Sequence, residues 1–268
     1  MQALNRPSCA LGLALLAHMA LAAPAANLNA TAPSAQSLLA ASDAIRNPDQ
    51  SFGQTVTLIE YKDGKQQETS TLAIYARADK TSGQFRNLIR FVAPQRDSGK
   101  LMLKNGNDLW FFDPASKASV RISPQQRLLG QAANGDVMSV NLALDYQAQL
   151  AGEEEIQDGE KQKRSSYLLN LKAKNNEVTY HRIEYWIDRE NQRPIKAKFY
   201  SSSDRLLKTA YYRQYKAQLG KERPTETVII DGLDPKWVTV MRSSDFAYRD
   251  VPESWLQRDY LPRFSPAS

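Results

Sequence analysis

Two short dipeptides, Asp63-Gly64 and Asn105-Gly106, each sit between runs in which apolar and polar residues alternate, and this commits the chain to β-structure. Asx-Gly pairs tolerate the left-handed backbone of a tight turn, so each predicts a two-residue type I′ hairpin. The first joins strands over residues 54–61 and 68–77, the second strands over 100–104 and 108–112. Similar patterns recur at 84–92, 118–122, 147–154, 166–174, 182–188, 195–200, 206–215, 225–230 and 238–246. One helix is predicted over 37–46, where Leu38, Leu39, Ala41 and Ile45 have helical spacing and Asn47-Pro48 stops the run. Residues 123–146 break the β pattern with Pro124, Gly130 and Asn134-Gly135; they predict a lid or a connecting loop, with a short helix near 137–144. A last helical turn is expected over 253–260.

Period-two alternation shows which faces are dry. Tyr167, Leu169 and Leu171 share one side of their strand, and Ile183, Tyr185 and Ile187 oppose Arg182, Glu184 and Asp188. Ile195, Ala197 and Phe199 oppose Lys196, Lys198 and Tyr200, while Trp110 and Phe112 share a side opposite Phe111. One-sided strands in such number need cover, and only the early helix, the irregular stretch and the tail remain to supply it. A curved sheet wrapped around a helix, with space left inside, fits this pattern; a filled barrel fits it nearly as well.

Residues suited to catalysis are scarce. The chain has one Cys and two His, and Cys9 and His18 fall in its N-terminal stretch. His181 lies in Thr179-Tyr180-His181-Arg182 with no Gly-x-Ser-x-Gly anywhere, so a serine triad has no support. Glu153-Glu154-Glu155, Asp158 and Glu160 offer carboxylates for glycoside hydrolysis, but they surround Asp158-Gly159 as a solvated hairpin tip does. Asp188-Arg189-Glu190-Asn191 lacks the glycine and spacing of a calcium loop, and no zinc set or phosphate-binding loop is present. No catalytic residues, no metal and no cofactor are therefore expected. A net charge of +6 suits an anionic membrane surface or plain solvation better than nucleic acid.

The N-terminus reads as an export signal. Arg6 precedes an apolar run over 9–21, and Ala20-Leu21-Ala22 and Ala23-Pro24-Ala25 are cleavage options. That run is shorter than the roughly 20 residues a spanning helix needs. Cys9 precedes the run rather than following it, so lipid attachment there is not expected. The expected organisation is a signal peptide over 1–25 cleaved near 22–25, a flexible leader over 26–36, and a single β domain over 37–264.

Several segments together resemble a known family. They are Ile89-Arg90-Phe91-Val92-Ala93-Pro94, Gly99-Lys100-Leu101-Met102, Asp108-Leu109-Trp110-Phe111-Phe112-Asp113-Pro114 and Val120-Arg121-Ile122-Ser123. Further on come Tyr185-Trp186-Ile187-Asp188-Arg189-Glu190, Arg193-Pro194-Ile195-Lys196-Ala197, and the stretch from Lys198-Phe199-Tyr200 to Leu206-Leu207-Lys208-Thr209-Ala210-Tyr211-Tyr212. In this order they resemble the LolA-like outer-membrane lipoprotein-sorting proteins across 37–264. The resemblance implies a mainly β fold with a few helices: an incomplete antiparallel half-barrel wrapped around helices and loops, with an apolar cavity inside. The chain departs from the family at Leu129-Gly130-Gln131-Ala132-Ala133-Asn134-Gly135-Asp136, where many relatives carry a Gly-Ser-Asp-aromatic run.

On that resemblance the chain is expected to be a non-catalytic periplasmic carrier of a lipid, a lipoprotein acyl chain or another hydrophobic ligand, moved towards the outer membrane. Tyr167, Leu169, Ile183, Tyr185, Ile187, Ile195, Phe199, Trp110 and Phe112 are the residues expected to line its cavity. The alternative is a periplasmic interaction or sensor module partnering an inner-membrane transporter; a third reading combines the two, a carrier that takes its cargo from an inner-membrane pump of the resistance-nodulation-division (RND) type. Arg249, Arg258 and Arg263 are candidates for transient contact with a membrane surface.

Overall fold

A computed structural model describes residues 1–2 and 33–265. The expected export signal, its cleavage site and most of the leader lie outside the described residues. The described residues from Pro33 onward form one compact unit. It begins with α1 (Ala35–Arg46), capped where the Ser34 hydroxyl accepts the Ser37 amide at 3.1 Å. Six strands follow: β1 (Phe52–Lys62), β2 (Lys65–Ala78), β3 (Phe85–Ala93), β4 (Leu101–Asn105), β5 (Asp108–Asp113) and β6 (Ala118–Arg121). A crossing segment then carries the small pair β7 (Arg127–Leu129) and β8 (Ala132–Ala133), a 3-10 turn at Asn134–Val137, and α2 (Leu142–Asp145). Next come β9 (Tyr146–Gln157), β10 (Lys163–Ala173), β11 (Arg182–Asp188), β12 (Pro194–Tyr200), β13 (Leu206–Gln218), β14 (Lys221–Asp231) and β15 (Trp237–Tyr248). Short 3-10 turns at Glu253–Leu256 and Arg258–Arg263 form the tail.

All the long strands join one 13-stranded sheet in the order β6-β5-β4-β3-β2-β1-β15-β14-β13-β12-β11-β10-β9. Two antiparallel meanders meet at its centre, where β1 pairs with β15. The edges β6 and β9 do not pair with each other, so the barrel stays incomplete, as expected. Register shifts in β1–β15, β9–β10, β11–β12 and β12–β13 bend the strands, because an extra residue on one side of a ladder kinks it and increases its twist.

The first hairpin is as predicted: Lys62 pairs with Lys65, and Asp63 and Gly64 both take left-handed φ, 50° and 74°. The second turn is displaced by one residue. Asn105 still pairs with Asp108, so the turn is Gly106-Asn107, with Gly106 at φ 57°. Asn105 is held in its strand by donating through Nδ2 to the Leu256 carbonyl at 3.0 Å. The helix expected over 137–144 is also corrected, since only Leu142–Asp145 is α-helical. Residues ahead of it are extended, held by side chains of the sheet: Asn87 both accepts the Ser139 amide (2.9 Å) and donates to the Ser139 carbonyl (3.0 Å).

The inner face of the sheet carries α1 and the crossing segment, and Leu38, Leu39, Val137 and Met138 join Leu72, Ile74, Leu169 and Ile187 in the main core. The tail does not help to cover that face. It lies on the outer face of β2–β5, where Val251, Trp255, Leu256 and Leu261 pack on Tyr75, Leu88, Leu101, Leu103 and Phe112. Those strands are therefore dry on both sides, with alternate residues feeding the two cores.

The crossing segment lies so close to the sheet that glycine is required. A Cβ on Gly130, which has φ 53°, would stand 2.3 Å from Thr239 Oγ1. Gly130→Ala is thus expected to cost about 2–3 kcal/mol in urea unfolding, combining left-handed strain with a clash. Gly64→Ala, equally left-handed but with nothing within 4 Å, should lose only the strain, about 1 kcal/mol.

Candidate binding cavity

Between the crossing segment and the centre of the sheet lies a cavity of about 480 Å³. Its sheet wall comes from β1 (Gln54, Val56), β15 (Met241, Ser243), β14 (Thr227, Ile229), β13 (Lys208, Ala210, Tyr212), β12 (Phe199) and β11 (Ile183). Val137, Met138 and Leu142 of the crossing segment, with Arg46 and Asn47 at the end of α1, close the other side. Lys208, Ala210 and Tyr212 project together because alternate residues of a strand share a face.

Lys208 is only 4% exposed, and its ammonium forms an ion pair with Asp136 and donates to the Gln131 carbonyl at 3.0 Å. The Tyr180 hydroxyl donates to the other Asp136 oxygen at 2.7 Å, and Tyr146 donates to the Tyr180 carbonyl at 2.8 Å. Burial pushes the Lys208 amine below its ordinary value and the Tyr180 phenol well above its own. Gly135 lets this turn seat itself, since a Cβ there would lie 2.0 Å from Thr179 Oγ1.

At the opposite end, α1 turns polar residues inward at helical spacing. Ser42 meets the Tyr185 hydroxyl at 3.1 Å, and burial pushes that phenol up to about 12. Asp43 accepts from Arg46 at 2.7 Å and from the Ala143 amide at 2.8 Å. Arg46 also donates to the Val140 carbonyl at 3.0 Å, whereas its Nε is buried without a partner.

Of the residues expected to line a cavity, Ile183 and Phe199 do so. Leu169, Tyr185 and Ile187 are fully buried in the main core nearby, Tyr167 packs against that core, and Ile195 is 4% exposed at the register shift between β11 and β12, outside that core. Trp110 and Phe112 belong elsewhere: they face the tail on the outer side, with Arg258 stacked 4.1 Å from the Trp110 ring. Sequence reading passed over Val56, Ile229, Met241, Arg46, Asp136 and Lys208. One signal for Lys208 was available, a lysine in phase with the inward Ala210 and Tyr212. Among the described residues no group of three His, Cys, Asp or Glu is placed to hold a metal ion.

Asp136→Asn leaves the buried Lys208 ammonium uncompensated and is expected to cost about 3 kcal/mol near neutral pH. The Lys208 pKa already lies below 10.5 in the folded state, so the unfolded chain holds the proton more tightly and stability rises with pH between the folded value and 10.5. The variant, with its amine pushed lower still, should recover part of its loss on going from about pH 7 to about pH 10, measured by urea unfolding at both.

Comparisons with known proteins agree with this fold. A family model described as "Uncharacterized protein" matches residues 83–263, and no curated protein matches the chain. Among solved structures, a DUF1329 family protein from Desulfovibrio piger shares the fold at 21% identity and TM-score 0.72, over 85% of this chain and 97% of that one. An outer membrane lipoprotein-sorting protein domain from Vibrio parahaemolyticus does so at 20% identity and TM-score 0.71, over 85% and 98%. A LolA superfamily protein from Nitrosomonas europaea is 34% identical, with TM-score 0.76 over 85% of this chain and 100% of that one. With that identity maintained along the whole Nitrosomonas protein, this chain belongs to the LolA superfamily.

Proposed function

We propose that the chain is a non-catalytic carrier whose cavity takes up the acyl chain of a lipid or lipoprotein. The observation that carries this reading is the cavity itself, apolar at its centre, where Val56, Ala210, Ile229 and Met241 meet Ile183 and Phe199. Its volume of about 480 Å³ falls within the roughly 300–1,000 Å³ of ligand sites. Each CH₂ moved from water into such a space contributes about 0.8 kcal/mol, so ten of them contribute about 8 kcal/mol. That corresponds to micromolar affinity before ordering costs.

The sequence of residues 1–25, read as an export signal, supports a carrier that works in the periplasm, with transfer directed towards the outer membrane. The name of the Vibrio protein, lipoprotein-sorting, supports this direction. An inner-membrane transporter of the RND type is the proposed donor or partner. Among the described residues no helix is long and apolar enough to cross a membrane. For membrane contact Arg249 is a better candidate than Arg258 and Arg263, which stack on Trp110 and Tyr260.

Native mass spectrometry of protein from its host, followed by organic extraction, tests the reading. A discrete added mass of lipid size is expected; protein that stays at its bare mass after incubation with host lipids would favour a dry interaction module instead. Ala210→Phe, which puts a ring into the apolar centre, is expected to weaken lipid binding about tenfold while the circular dichroism spectrum is kept.

A further inference from the structure

We infer that the ligand carries an anionic head, bound at the end of the cavity lined by Arg46 and Tyr212. This rests on the carrier reading above. The cavity has two polar ends separated along β13, whose residues Lys208, Ala210 and Tyr212 all line it. At about 3.3 Å per residue, the Lys208 and Tyr212 positions stand about 13 Å apart.

The two ends differ in what they leave over. At Lys208 the ammonium is matched by Asp136, which also accepts from Tyr180, so cation and anion are balanced and their hydrogen bonds are made. At Arg46 both Asp43 oxygens are engaged, one by Arg46 and the other by the Ala143 amide, while Arg46 Nε stays buried and unpartnered. Tyr212 lines the same end, within electrostatic range of Arg46, and its hydroxyl makes no side-chain hydrogen bond among the described residues. Two further cations stand behind it: Lys221 donates to the Ala44 carbonyl (3.4 Å) and Arg223 to the Ile45 carbonyl (2.7 Å). Arg223 is 2% exposed and forms no ion pair among the described residues. Asp49 stands within electrostatic range of Arg223 and Asp145 within range of Asp43, so what this end has to spare is donors: Arg46 Nε is buried without a partner, and Tyr212 makes no side-chain hydrogen bond among the described residues.

A buried donor without an acceptor is a desolvation cost that a ligand oxygen reaching it would offset. The acceptor that best suits a guanidinium is a carboxylate or phosphate oxygen, through charge-assisted hydrogen bonds. A neutral hydroxyl head would be a weaker acceptor, and a quaternary ammonium would be repelled.

The test uses the purified full chain loaded with the neutral fluorophore N-phenyl-1-naphthylamine, displaced by single-chain amphiphiles of equal length. Hexadecanoate and hexadecyl phosphate are expected to displace it at about tenfold lower concentration than hexadecanol, with hexadecyltrimethylammonium weakest. Tyr212→Phe should narrow the preference for the acids, and Arg46→Gln should abolish it. Because Arg46 also holds Asp43 and Val140, Tyr212→Phe carries the test if Arg46→Gln fails to fold. Equal displacement by hexadecanoate and hexadecanol in the unaltered protein overturns the anionic head and leaves the carrier reading standing. Displacement by acetate or inorganic phosphate alone at the same concentrations overturns the amphiphile in favour of a small-anion site. A protein that takes up neither fluorophore nor amphiphile overturns the carrier reading itself.

Discussion

The chain must travel from β6 at one edge of a 13-stranded sheet to β9 at the other, and it does so across the dry inner face. A segment that makes this crossing has few ladder partners for its backbone, yet each buried N–H and C=O needs one. Side chains supply them. Asn87 brackets Ser139, and Gln84 accepts the Asn141 amide at 2.8 Å. Thr239 accepts the Gln131 amide at 2.7 Å, and Asn47 donates to the Val140 carbonyl at 2.8 Å. Gln36 donates to the Ala143 carbonyl at 2.7 Å. The polar residues inside this protein are in large part the solvation of that one stretch of backbone.

The cavity follows from the same constraint. A segment hung on side chains stands off from the strands beneath it wherever no side chain bridges the gap; at Gly130 it comes close to Thr239 of β15, and at Gly135 to Thr179 in the connection between β10 and β11. Over Ala210 and Ile229 the space stays open. The Asp136–Lys208 pair fixes one end of this arrangement. A buried ion pair of this kind is a poor source of stability, because desolvation offsets most of the attraction, but it defines where the crossing segment sits. The Arg46 end is less completely matched, and that imbalance gives the cavity a direction.

The two faces of the sheet are solvated differently along its length. Across β2–β5 the outer face is sealed by the tail, with Trp255 edge-on to Tyr75 at 5.3 Å and to Phe264 at 4.9 Å. Across β11–β13 it is covered by long cationic side chains lying over rings, Lys196 at 4.9 Å from Trp186 and Arg182 at 3.5 Å from Tyr200. Such side chains shield apolar surface with their stems while the charge reaches water. The edge strand β9 carries Glu153, Glu154 and Glu155, and charge of one sign on an exposed edge discourages pairing with another chain.

Strand positions and their inward faces were legible because period-two alternation is a local property: Leu169, Ile183, Tyr185, Ile187 and Phe199 all point into the main core as their spacing implies. The Asp63-Gly64 turn was legible for the same reason, while the Asn105 turn moved by one residue because a tertiary bond to Leu256 held Asn105 in its strand. Alternation assigns a residue to one of two faces and cannot say what lies above that face. Trp110 and Phe112 alternate as well as any pair, yet they meet the tail, which returns from more than a hundred residues away. Arg46, Asp136 and Lys208 come from a helix, a turn and a strand far apart in sequence, and no local pattern links them. The sequence by itself determined strands, turns and the dry side of each strand, since these depend on neighbours within a few residues. Which dry surfaces are filled, which are left open, and which charges meet there was decided by the path of the crossing segment and the tail, which exists only once the sheet has formed.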